Sequence, residues 1–114
     1  MKLLIVGSRS IDNFDFSGYV PEETDLIISG GAKGADTLAE RYADEHKLSK
    51  WIFRPKYNLY GKAAPLKRNK EMVDLCDAVL VLWDGVSKGA MFTAEYARSA
   101  GKPTEVIKVE KKDC

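Results

Sequence analysis

The chain has 114 residues, 45% of them hydrophobic, with 18 basic and 17 acidic side chains and a formal net charge of +1. That length supports one compact domain over residues 1–114 and excludes two, and the near-neutral balance excludes the broad basic field of a protein that coats nucleic acid, so any anion site must be local. No apolar run approaches a membrane span, and the apolar start over residues 1–7 is too short for a signal peptide, so a cytosolic protein is expected.

In chain order, the unbroken apolar run 3–6 predicts a strand buried on both faces, followed by the polar turn Gly7-Ser8-Arg9-Ser10. Residues 11–21 carry Phe14, Phe16 and Tyr19, which are expected to cover the sheet from a short helix or an irregular loop. A second buried strand is predicted over 26–28. Ser29-Gly30-Gly31-Ala32-Lys33-Gly34-Ala35-Asp36 then turns into a helix whose apolar positions Ala35, Leu38, Ala39, Tyr42 and Ala43 recur at offsets of three and four. A third buried strand is predicted at 51–53. The long aromatic and basic segment 57–64 leads into a helix opened by Pro65, with Leu66, Met72, Val73 and Cys76 on its apolar side. Residues 78–83 predict a fourth buried strand, and the turn 84–89 leads to a helix over about 90–100, with Ala90, Ala94 and Ala97 on one stripe and Gly101 as its stop. The last strand, 105–109, sets Val106 and Ile107 among charged neighbours and reads as an edge guarded by lysines.

Strands alternating with helices imply right-handed βαβ units, hence a parallel sheet with helices on both faces. Ligands bind such sheets beyond the carboxyl ends of the strands, where the winding reverses. Three polar loops carrying glycine fall there: Gly7 to Ser10, Ser29 to Asp36, and Asp84 to Gly89. The middle loop has the glycines, the lysine and the following helix start that suit a phosphate, without the Walker or dinucleotide spacing. Arg9 reads either as a bidentate anion ligand flanked by the Ser8 and Ser10 hydroxyls or as a surface arginine after a turn. Asp36 suits the positive end of a helix and can also hydrogen-bond a sugar hydroxyl. Ser87 and Lys88 between glycines form a second anion nest or an ordinary helix cap. Tyr57 and Tyr60 can stack on a base, although packing on their own domain is favoured. Cys76 reads as a small core residue; with Cys114 it has no metal or redox spacing, and His46 reads as a solvated residue near a helix end. No catalytic triad, metal spacing or pair of carboxylates on the ligand rim stands out, and no cofactor is implied.

Taken together, Gly7-Ser8-Arg9, the Ser29 to Asp36 loop, Gly61-Lys62-Ala63-Ala64, Arg68-Asn69 with Met72, and Trp83-Asp84-Gly85 with Ser87 and Gly89 resemble the YspA-like branch of the SLOG superfamily over nearly the whole chain. The resemblance implies a Rossmann-like three-layer sandwich with a mostly parallel sheet of about five strands, and a nucleotide or nucleotide-derived ligand. It implies ligand contacts from Gly7, Ser8, Arg9, Ser29, Gly30, Gly31, Ala32, Lys33, Gly34, Asp36, Arg68, Asn69, Asp84, Ser87, Lys88 and Gly89. The related LOG-type phosphoribohydrolases carry a catalytic glutamate in Pro-Gly-Gly-x-Gly-Thr-x-x-Glu. Aligning its Gly-Thr on Gly89-Ala90 puts Thr93 at the glutamate position and leaves Glu95 two residues out of register, on a different side of the helix. The expectation is an oligomeric binding module, a sensor or carrier, with catalytic residues unknown. N-glycosidic hydrolysis and single-stranded DNA binding, the latter a property of the related DNA-processing protein A family, stand as alternatives.

Overall fold

The computed structural model describes residues 1–109 and places β1 (Lys2–Gly7), β2 (Leu26–Ser29), β3 (Ser49–Ile52), β4 (Ala78–Trp83) and β5 (Thr104–Lys108) in one sheet. The order is β3-β2-β1-β4-β5 and every neighbouring pair is parallel. This is a Rossmann-like α/β sheet. The central strands β1 and β4 bury four consecutive residues each, as strands covered on both sides must. Strand alternation then sorts their side chains: Leu3, Ile5, Leu80 and Leu82 face one layer, and Leu4, Val6, Val79 and Val81 face the other.

Helix α1 (Ala35–Glu45) covers the first face with Ala35, Leu38, Ala39 and Ala43, in agreement with its three- and four-residue spacing. Helices α3 (Ala64–Leu75) and α4 (Lys88–Ser99) cover the second through Met72, Val73, Ala90, Ala94 and Ala97. The chain steps leftward from β1 to β3 and then crosses to β4, so right-handed connections must change faces there. Between β1 and β2 no helix forms. The segment is the irregular loop, one of the two forms expected, and it buries Ile11 and Phe16, with Phe14 and Phe16 edge to face at 5.0 Å between ring centroids.

Three expectations require correction. The third strand is not buried on both faces: all four residues of β3 are exposed at an edge of the sheet, and of the expected run 51–53 only Phe53, just past the strand, packs on the core. Leu66 is 40% exposed rather than in the core, since the first turn of α3 overhangs the strand ends instead of the sheet. Residues 57–63 form a single turn of helix, α2 (Tyr57–Tyr60), and a 3₁₀ turn (Gly61–Ala63), and Tyr57 and Tyr60 project into solvent rather than packing inward. Cys76 is buried as expected, His46 stacks on Tyr42 one turn back in α1, and Cys114 lies outside the described residues.

Candidate functional site

The strand order reverses between β1 and β4, so the loops leaving them diverge and open a cleft of about 490 Å³ at their carboxyl ends. Its floor and walls come from Gly7 at the end of β1 with Arg9 and Ser10 after it, Ala32 in the loop before α1 and Asp36 in its first turn, and Asp84, Ser87 and Gly89 around the start of α4. Helix α3 adds Pro65, Leu66, Arg68 and Asn69, and Thr93 closes the base from α4. Three separate loops and a fourth element thus converge, as their positions in the sequence anticipated.

Ser8 holds the loops together from below. It is 1% exposed; its N–H donates to the Leu82 carbonyl at 2.9 Å, its carbonyl accepts from Ala35 N, and its hydroxyl accepts from Asp84 N at 3.0 Å. Gly34 lets the second loop approach: φ is +84°, and a Cβ there would lie 2.6 Å from the backbone of Arg9. Gly7 is equally constrained, because a Cβ would run into the Leu82 carbonyl. The Asp84 carboxylate closes the third loop, accepting from the N–H groups of Val86 and Ser87 at 2.9 Å and from the Ser10 hydroxyl at 2.8 Å. The bonds from Val86 N–H, Ser10 and Ser87 hold its carboxyl down at about 2. Ser87 caps α4, its side chain accepting from Ala90 N, which is the helix-cap reading of this residue.

A polar chain crosses the other wall. The Arg68 guanidinium donates to the carbonyls of Gly30 and Phe53 and to Asn69 Oδ1; Asn69 Nδ2 donates to the Thr93 hydroxyl at 2.9 Å, and Thr93 donates to the Gly89 carbonyl at 3.0 Å. Loops from β2, β3 and α4 are thereby tied to α3. Asp36 sits beside Arg68, 6% exposed; its Oδ2 accepts from Ala32 N at 3.2 Å, and its buried Oδ1 has no partner among the described residues. Burial pushes this carboxyl up to about 6, against the opposing pull of Ala32 N–H and Arg68.

The remaining expected contacts lie elsewhere. Ser29 is buried beneath the loop and donates to Glu40 at 2.9 Å, while Gly30, Gly31 and Gly34 shape the turn without lining the cleft. Lys33 and Lys88 are exposed outside it. Glu95 is exposed on the outer side of α4, whereas Thr93 is inside. Asp36 and Asp84, both among the expected contacts, line the cleft together, which corrects the expectation of no carboxylate pair on the rim. Each falls in a loop already singled out, and only the convergence of those loops reveals the pair.

Fold and site together define a small parallel α/β protein with a polar cleft at the topological switch point. Over 84 residues the chain is 32% identical to the Gene 61 protein of Mycobacterium phage D29, an overlap covering 68% of this chain and 67% of that one. The chain belongs to the family of that protein. No family model matches it, and no solved structure matches it. Among the described residues no helix is long and apolar enough to cross a membrane.

Proposed function

We propose that the protein is a cytosolic SLOG-type module that binds a nucleotide or nucleotide derivative in the cleft between β1 and β4. The observation that carries this reading is the meeting, at the switch point, of Arg9, Arg68 and the opening turn of α4 around a space of about 490 Å³. That volume falls in the range of small-ligand sites. Arg9 is exposed and free to pair with a phosphate, while the N-terminal end of α4 favours negative charge. Asn69 and Asp36 on the facing wall suit the hydroxyls of a sugar. The Ser29 to Asp36 loop contributes through Ala32 and Asp36, with its glycines acting as scaffold, so the anion is drawn toward Arg9 rather than toward Lys33.

Binding is the better supported role than hydrolysis. At the position of the LOG-type glutamate, Thr93 is engaged with Asn69 and Gly89, and Glu95 faces away. Thermal unfolding against a panel of nucleoside mono-, di- and triphosphates, cyclic nucleotides and ADP-ribose tests the reading. A ligand at one hundred times its Kd adds about 2.7 kcal/mol, a shift of several degrees in Tm. Arg9→Glu should abolish that shift while leaving the unliganded Tm within a degree or two. Identical midpoints across the whole panel, together with no small molecule released from freshly purified protein in native mass spectrometry, would refute it.

A further inference from the structure

The near-neutral total charge conceals a segregation. Residues 47–70 contain eight lysines and arginines and no acidic residue, leaving ten cations against seventeen acids in the rest of the chain. The fold gathers this segment on one side. Between the β3 edge and α3 lies a second groove of about 650 Å³, whose walls carry Arg54, Lys56, Lys67, Arg68 and Lys70 against two carboxylates, Glu71 and Asp74. Among the described residues the ion pairs are Met1 with Asp25 and Lys50 with Asp44, so the cations of the groove form no ion pair, although Arg68 lies beside Asp36.

The same surface holds aromatic rings that the core does not claim. Tyr60 lines the groove at 46% exposure, Trp51 stands beside it on β3 at 43%, and the Lys67 ammonium lies 5.0 Å from the centre of the Tyr60 ring. Exposed apolar groups on a sheet edge often mark a contact between copies of a chain. Here a two-fold contact would bring two unbalanced cationic segments together, which is unfavourable. An anionic partner relieves that charge, and one that also offers flat apolar faces uses the rings. Single-stranded nucleic acid supplies both, since its phosphates take the lysines and arginines while its bases stack on aromatic side chains.

We propose that the groove between β3 and α3 binds single-stranded nucleic acid, with Arg54, Lys56 and Lys67 on the phosphates and Tyr60 and Trp51 against the bases. This site is separate from the cleft between β1 and β4, and Arg68 is the residue common to both walls.

Fluorescence anisotropy with labelled twelve-residue oligothymidylate and oligouridylate at low salt tests it. Binding should weaken with salt, with a logarithmic slope of about −0.7 for each phosphate contact. Replacing Arg54, Lys56 and Lys67 together by alanine should flatten that slope by about two. Tyr60→Ala should weaken binding roughly 5- to 150-fold, the fold-change equivalent of losing one stacked base. Arg9→Glu, in the other cleft, should leave oligonucleotide binding in place, so success here is independent of the nucleotide panel. No anisotropy change at low salt, binding indifferent to the triple substitution, or equal displacement by polyglutamate would each overturn the proposal. A concentration-dependent dimer that the triple substitution strengthens and Trp51→Ala abolishes would assign the surface to a second copy and overturn it as well.

Discussion

Asp36 offers the most quantitative test of the site. Its carboxyl is 6% exposed and shifted from an ordinary 3.8 to about 6, chiefly by burial. The folded state therefore holds this proton over a range in which the unfolded chain has released it. Below about pH 4 both states are protonated and nothing is lost; between pH 4 and 6 stability falls as pH rises; above 6 the full cost is present. At 1.36 kcal/mol per unit, a displacement of about two units amounts to about 3 kcal/mol. For a chain this size that corresponds to about 10 °C in Tm. Asp36→Asn removes the titration while retaining an acceptor for Ala32 N–H, so the informative quantity is the difference between the two proteins. Urea unfolding at half-unit steps from pH 4 to 8 should show wild type losing about 3 kcal/mol relative to Asp36→Asn, with the change centred near pH 5. Parallel curves, or wild type gaining on the variant as pH rises, would show that Asp36 is neither desolvated nor protonated in the way its surroundings require.

Other consequences of the same geometry can be measured directly. Gly34→Ala puts a side chain at φ +84° and against the Arg9 backbone, and should cost about 3 kcal/mol in urea unfolding; a loss below 0.5 kcal/mol would mean that the two loops do not touch as described. Ser8→Ala leaves the Asp84 N–H without its acceptor and should lower stability by about 1–2 kcal/mol, read from the same transition, with an unchanged midpoint counting against the junction. The Cys76 thiol is 1% exposed and pushed up to about 11 by burial, so peptide mapping should find it unmodified by maleimide at neutral pH in native protein and modified in guanidinium; rapid native labelling would place it outside the core.

The sheet was legible because its inner strands are apolar without interruption, a pattern that only two-sided burial produces in so short a run. β4 begins and ends where residues 78–83 predicted, and α1 buries Ala35, Leu38, Ala39 and Ala43 of the residues its periodicity named, with Tyr42 half-buried beside them. β3 misled because Trp51 and Ile52 resemble core residues, and composition does not reveal whether a further strand will lie alongside. The rim of the cleft was legible as loops but not as side chains. Ser8, chosen for its hydroxyl, spends that group on Asp84, whereas Leu66 lines the space despite its core reading. Strand ends are fixed by local pattern, but the direction a loop side chain takes depends on which other loop arrives beside it. The unbalanced stretch of cations was present in the sequence from the start, hidden by averaging charge over the chain.

The irregular connection between β1 and β2 has a consequence for how the molecule opens. A helix would have armoured that face with a continuous ladder of hydrogen bonds. Between Ser17 and Asp25 this cover instead has scattered bonds, among them Tyr19 N to Phe16, Thr24 N to Pro21, Asp25 N to Met1 and the amino terminus to Glu23 and Asp25, together with Ile11 and Phe16 wedged under α1. Its amides should exchange with deuterium through small local openings, while those of β1 and β4 beneath wait for global unfolding. Because Ile11 N–H is bonded to the Ser8 carbonyl, the segment is anchored at the rim of the cleft, and a molecule resting against Arg9 should slow exchange in residues it does not touch.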